Sequence, residues 1–223
     1  MRKYRIDHDL ERLRNQRRGG IEPAREHPES QDDRALVEQA KQGDREAFAT
    51  LVRRHQDRAF NLAYQMLRNR EDALDVAQEA FARAFTSLPT FKGDASFGTW
   101  LHRIVVNLAI DSLRRRRRGG EASYDDSRGI AEEPEADLPA NEDPAAALEA
   151  KQTRALLARG IARLPPAQRA VLILREIEGM SYEDIAKIMD CPIGTVRSRI
   201  FRAREAIAEE LRPLLDISKD KRW

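Results

Sequence analysis

The sequence predicts an all-α protein built as two small helical domains joined by an acidic linker, and three observations predict it. Four amphipathic segments follow one another with short connections between residues 33 and 118, which makes a compact helical domain. Residues 121–144 then break the pattern: they are acidic, hold Pro134, Pro139 and Pro144, and show no sustained periodicity. Helical spacing resumes after them and ends in a helix, tight turn and helix at 181–208.

Residues 1–31 read as a mobile arm. The first thirty carry eight basic and six acidic residues with little apolar periodicity, and Pro23 and Pro28 lie near their end. The first helix is expected over 33–42, with Leu36, Val37 and Ala40 inward and Gly43 as its C-cap. Asp44 can cap the second, which runs to about Arg68 on a stripe of Phe48, Leu51, Val52, Ala59, Phe60, Ala63 and Leu67. The third, about 71–88, turns Leu74, Ala77, Phe81, Ala84, Phe85 and Leu88 to one face and Asp75, Gln78 and Glu79 to the other, until Pro89 stops it. A loop, PTFKGDAS, leads to the fourth helix at about 96–118, with Phe97, Trp100, Leu101, Ile104, Val105 and Leu108 inward. Residues 32–118 thus form the first domain.

The linker is assigned to 119–145. Residues 121–147 carry nine acidic side chains and one arginine, a net charge of −8, directly after the five-arginine run 114–118. Such segregation suits several electrostatically distinct contacts along one chain. The second domain, 146–215, opens with a helix over 145–164. Pro165-Pro166 starts another, 166–177, bearing Val171, Leu172 and Leu174, which Gly179 ends. Ser181 with Asp184 three residues on is a capping-box variant that starts the next helix. Asp190-Cys191-Pro192 breaks it, and Ile193-Gly194-Thr195 opens the last. On that last helix Val196, Ile200, Ala203 and Ile207 share one side. Gly194, Arg197, Ser198, Phe201, Arg202 and Glu205 share the other, a surface suited to a DNA major groove: arginine reaches guanine or phosphate, and Phe201 can meet a thymine methyl. The plain alternative is a helical hairpin with a solvated basic face. Residues 216–223 read as a frayed tail.

Composition sets bounds. Hydrophobic residues are 41% and charged residues 35%, with 6% aromatic, which suits small helical domains with much solvated surface. The lone Cys191 excludes an intramolecular disulfide and fits a reducing compartment. No apolar run approaches the ~20 residues of a membrane span, and the N-terminus lacks the apolar core of a secretion signal. A soluble cytoplasmic protein is therefore expected. Four scattered histidines and one cysteine offer no zinc spacing, so no metal or other cofactor is expected.

Several separate stretches now stand in a telling order. They are Asp75-Val76-Ala77-Gln78-Glu79-Ala80-Phe81; Phe91-Lys92-Gly93-Asp94 followed by Phe97-Gly98-Thr99-Trp100-Leu101; Asn107; 179–186, GMSYEDIA; and 192–199, PIGTVRSR. In these, from about residue 32 to 215, the chain resembles the extracytoplasmic-function group of bacterial sigma factors, and within it the envelope-stress, sigma-E-like branch best. The resemblance implies a region 2 and a region 4 domain, no catalytic residue, and action only as part of RNA polymerase. It implies that Asp75, Gln78 and Glu79 dock on the clamp coiled coil of the β′ subunit, with the β flap as a second polymerase contact. It implies that the loop and fourth helix open the −10 element, with Phe91, Lys92, Gly93, Asp94, Ala95 and Ser96 forming a pocket for a flipped base and Arg103 and Asn107 reaching the same strand. Asp111, one further turn along, is expected to orient Arg103 or Arg115. Trp100 falls in the core register, and the run 114–118 is either a solvated helix end or a phosphate clamp. In region 4 the resemblance gives Arg197, Ser198, Phe201 and Arg202 to the bases of the −35 element and Arg175 and Tyr182 to phosphate. The helix start at Gly194-Thr195 offers main-chain N–H groups to a further phosphate. The linker would thread the channel that holds RNA, with a plain disordered spacer as the alternative, and an anti-sigma protein, often membrane-anchored, would be a partner. The competing reading is an independent helix-turn-helix regulator, which would not need a −10-type loop or a clamp-docking helix. A metal-dependent nuclease or transposase fragment lacks the clustered carboxylates that two metals require.

Overall fold

The computed structural model describes residues 29–118 and 144–220, with side chains at 33–117 and 152–212. The arm, most of the acidic linker and the last three residues therefore lie outside the described residues. Among the described residues the regular elements are all helical: α1 (Glu29–Lys41), α2 (Arg45–Leu67), α3 (Arg70–Ser87), α4 (Phe97–Arg118), α5 (Pro144–Arg163), α6 (Pro166–Glu176), α7 (Tyr182–Met189) and α8 (Ile193–Asp220).

Side-chain chemistry sets the helix ends. The Asp44 carboxylate accepts from the N–H of Glu46 at 2.9 Å and of Ala47 at 3.2 Å, two donors that would otherwise lack a partner in the first turn of α2. Asn69 caps α3 in the same way, accepting from Asp72 N–H at 3.0 Å, so this helix starts at Arg70. A single 3₁₀ turn, Leu88–Thr90, carries Pro89 and ends the α3 segment. Gly93, at φ 77°, turns the chain back toward α4.

The first domain packs α2, α3 and α4 against one another, with α1 laid across α2. Its core holds Leu51, Leu62, Met66, Leu101 and Val105, all at or near complete burial. The buried stripe of α3 is small: Ala73, Val76, Ala77, Ala80 and Ala84. That stripe corrects two expectations. Leu74 is 42% exposed and Phe85 50% exposed, because the alanines bring α3 close to its neighbours and leave both larger side chains on the flank. Phe85 meets Phe48 edge-on, with centroids 4.9 Å apart.

In the second domain α5 lies along α8, sealed by Ile161, Leu164, Leu172, Ala203 and Ile207. The α8 backbone continues to Asp220, beyond residue 215 where the sequence suggested fraying. The two domains are in contact. Helix α4 touches α6 and α7, and α2 touches α6. One apolar core runs from Leu51, Leu62 and Val105 through to Val171, Leu174, Ile185 and Ile188.

Candidate nucleic-acid interface

The helix-turn-helix is fixed by three local devices. Ser181 Oγ accepts from the N–H of Asp184 at 3.0 Å, capping the start of α7, and donates to the Asp184 carboxylate at 2.7 Å. Asp190 adopts a left-handed conformation, φ 47° and ψ 55°, at the end of α7, a backbone state that Asp tolerates better than most residues. Pro192 C=O then accepts from Thr195 N–H at 2.8 Å and starts α8. Val196, Ile200, Ala203 and Ile207 are buried against the rest of the domain. Arg197, Ser198, Phe201 and Arg202 are all exposed on the opposite side, Phe201 at 47%.

Behind this face lies an aromatic and cationic group. The Arg175 guanidinium carbon is 4.9 Å from the centre of the Tyr182 ring, and that of Arg197 is 6.0 Å from it. Arg175 also donates to Met180 C=O at 2.7 Å, which ties α6 to the turn before α7. Arg204 pairs with Glu176 at 2.6 Å, anchoring α8 to α6. Arg175, Tyr182, Arg197, Ser198, Phe201 and Arg202 are thus brought to one side of the domain, and Thr195 sits half-buried at the start of α8.

The loop before α4 is anchored by aromatic contacts. Phe91 is half-buried and stacks on Trp100 with centroids 4.7 Å apart, while the Lys41 ammonium stands 5.7 Å from its ring centre. One face of Phe91 is therefore occupied by protein. Lys92, Gly93, Asp94 and Ser96 are exposed and Ala95 is half-buried. Ser96 Oγ accepts from Thr99 N–H at 3.1 Å and caps α4. Arg103 and Asn107, one turn apart, are both exposed. Asp111 pairs with Arg114 at 3.7 Å and not with Arg103 or Arg115. The carboxylate that meets Arg103 is Asp190 of the second domain, at 3.3 Å. In the arginine run, Arg116 bonds Asp72 of α3, and Arg117 donates to Leu164 C=O at 3.1 Å. With Arg114 on Asp111, three of the five arginines are engaged with protein.

Beneath the loop lies a buried polar cluster. The ring of His55 is 2.7 Å from Asp33, which also holds Arg54 at 3.0 Å. His102, on the inner side of α4, is buried, and its pKa is lowered from 6.5 to about 4, first by loss of solvent and then by His55 and Arg58. Burial also raises the Glu178 carboxyl, against the opposing pull of Arg58. Asp75, Gln78 and Glu79 stand exposed on α3, Glu79 bonded to Arg83 at 2.8 Å. Among the described residues no group of three or more His, Cys, Asp or Glu could hold a metal ion, and no helix is long and apolar enough to cross a membrane.

The chain is similar to known proteins along most of its length. The family described as Sigma-70 region 2 matches residues 51–119, and that described as Sigma-70, region 4 matches 154–207. The chain is 45% identical over 187 residues to the RNA polymerase sigma-H factor of Pseudomonas aeruginosa, a match that covers 83% of this chain and 96% of that protein. The chain belongs to the sigma-70 family, as an extracytoplasmic-function sigma factor. It is 42% identical over 184 residues to the ECF RNA polymerase sigma-E factor of Escherichia coli K12, covering 82% of this chain and 96% of that protein. Two solved structures are similar. CnrH in complex with the cytosolic domain of CnrY matches with a TM-score of 0.56 and 29% identity over 83% of this chain and 97% of that one. The sigma factor RpoE of Bartonella quintana, in complex with the anti-sigma factor NepR, matches with a TM-score of 0.52 and 26% identity over 74% and 96%. In the family's terms α2–α4 form most of region 2 and α5–α8 contain region 4.

Sequence reading missed Asp190 as the partner of Arg103, and it missed Arg169, which is buried to 4% exposure between the two domains. The first pair spans domains and leaves no local trace. The second did leave one: Arg169 lies four residues before Ile173, on the same buried side of α6.

Proposed function

We propose that this sigma factor binds core RNA polymerase and directs promoter-specific initiation by reading the −35 and −10 elements. The carrying observation is the α8 surface, where Arg197, Ser198, Phe201 and Arg202 are exposed together on a helix held by a capped helix-turn-helix. Arginine at this face serves guanine or phosphate, and Phe201 serves a thymine methyl. Arg175, Tyr182 and Thr195 lie beside it and would meet the phosphates that set register.

The −10 element falls to the α4 loop. Lys92, Gly93, Asp94, Ala95 and Ser96 offer the edge of a pocket, and Phe91, backed by Trp100, gives that pocket a rigid wall. Arg103 and Asn107 extend the surface along the same strand. Holding an unstacked base offsets an unstacking cost of a few kcal/mol, so melting needs no separate energy source. Asp75, Gln78 and Glu79, with the exposed Leu74 among them, form the surface for the polymerase clamp, and region 4 would meet the β flap. The chain itself supplies no catalytic group, needs no cofactor and acts in the cytoplasm. The similar sigma factor RpoE, in complex with the anti-sigma factor NepR, supports a partner of that class here.

Run-off transcription tests this reading. Core RNA polymerase with and without the protein is offered a promoter library, and the initiated transcripts are sequenced. Protein-dependent initiation from promoters sharing paired elements is the expected result. Tight duplex binding by the protein alone, with no initiation, would instead make it an independent regulator.

A further inference from the structure

One buried side chain beneath the loop before α4 has no part in the function proposed above. His55 of α2 is buried, and its Nε2 lies 2.7 Å from Asp33 of α1, which is also buried. A carboxylate accepts, so His55 Nε2 donates, and this bond fixes the orientation of the ring. Asp33 is held in turn by Arg54, which donates to it at 3.0 Å. The imidazole then packs on the start of α4. It meets Phe97 with ring centroids 5.2 Å apart. A Cβ added at Gly98 would stand 3.3 Å from its Cε1 and 3.6 Å from its Nδ1. Glycine at 98 is therefore what lets the first turn of α4 lie so closely on the ring, and close packing passes a shift of one to the other.

That turn carries one edge of the pocket. Ser96, assigned to the flipped base, accepts through Oγ from Thr99 N–H at 3.1 Å and lies 2.9 Å from Thr99 Oγ1. Its C=O accepts from Trp100 N–H at 3.0 Å, and the Trp100 ring stacks on Phe91 at the far end of the loop. Lys92, Gly93, Asp94, Ala95 and Ser96 lie between Phe91 and Phe97, four of the five exposed. Their pose is set by how these two ends are held. A site for a single base needs its walls fixed to about 0.5 Å.

We propose that His55 is a positioning residue for −10 recognition, oriented by Asp33 and acting through its contact with Gly98 on the loop that takes the flipped base. The inference rests on the assignment of that loop to the −10 element. His55 touches no DNA in this role, since it lies buried beneath α4. Positions 55 and 98 are matched in volume, so a change at one calls for a change at the other.

Three variants of the full chain test the coupling. Gly98→Ala sets a methyl group against the imidazole. Alanine favours helix over glycine, so a loss of function here is not a loss of helix. His55→Gln keeps an N–H donor for Asp33 and removes the ring. The double variant gives the methyl group room. With core polymerase, permanganate reactivity of thymines in the −10 element should fall roughly tenfold for Gly98→Ala, as misplacing a site by a fraction of an ångström does. It should recover toward wild type in the double variant, with −35 selectivity unchanged throughout. In the free protein, amide exchange of Thr99 and Trp100, followed by NMR, should quicken several-fold in His55→Gln while residues 181–208 exchange as in wild type. Circular dichroism verifies that each variant is folded.

Opening and exchange that both stay at wild-type values would overturn the proposal. So would a loss of opening in Gly98→Ala that the double variant does not relieve. Altered exchange at Thr99 and Trp100 with unaltered opening would uphold the hold of His55 on the loop and sink the −10 assignment instead.

Discussion

At Arg103 two demands meet on one guanidinium. It stands one turn from Asn107 on the exposed side of α4, yet its carboxylate partner is Asp190 in the other domain. Both members of that pair are substantially exposed, so the bond itself adds little stability and can be exchanged for phosphate at small cost. Arg197 has a simpler task. Replacing Arg197 by Ala should cost about 1–3 kcal/mol of promoter binding and relax one −35 position, measured by selection from a randomised promoter library with the polymerase holoenzyme. Unchanged selectivity at every position would remove Arg197 from the base readers. His102 makes a prediction about pH. Its folded pKa is about 4 against 6.5 unfolded, so the unfolded chain takes up the proton first as pH falls. Its contribution is complete above about pH 6.5 and is lost on acidification toward pH 4. Between pH 7 and 5 this amounts to about 2 kcal/mol. Urea unfolding followed by Trp100 fluorescence should show that loss in wild type and a smaller one in His102→Gln; equal losses would refute the assignment.

At the scale of the element, much was legible in advance because capping and periodicity act locally. Asp44, Ser181 with Asp184, and the buried row Val196, Ile200, Ala203 and Ile207 all stand where the sequence put them. Ser181→Ala should lower the stability of the helix-turn-helix by about 1 kcal/mol, visible in thermal unfolding, because Asp184 N–H loses its acceptor. Helix α3 was read less well. A helical wheel cannot tell how closely a neighbour approaches, and the alanine stripe moved Leu74 and Phe85 to the surface. Leu74 thereby joins Asp75, Gln78 and Glu79. The double variant Asp75→Lys with Glu79→Lys should weaken core polymerase binding at least tenfold, read by fluorescence anisotropy. Helix content should stay unchanged, since both side chains are exposed. Binding that survives charge reversal would place the docking surface elsewhere.

For the molecule as a whole the decisive feature is an apolar core that does not stop at the domain boundary. Shared burial couples the unfolding of its parts, so calorimetry should show a single transition for wild type and a splitting into two for Arg169→Leu. Two transitions in wild type would mean the domains unfold independently. The sequence by itself determined the helices, their caps, the division into two domains and the residues facing out of α8, since each depends on neighbours a few positions away. It also carried the family, through short stretches in a fixed order. Only the tertiary structure decided which arginines are engaged with protein and which stay exposed on the surface. Met66 and Arg169 are 103 positions apart, and Arg103 and Asp190 are 87. A guanidinium serves a phosphate, a carboxylate or a helix-end carbonyl equally well, so its partner is settled by which of them the fold brings within reach.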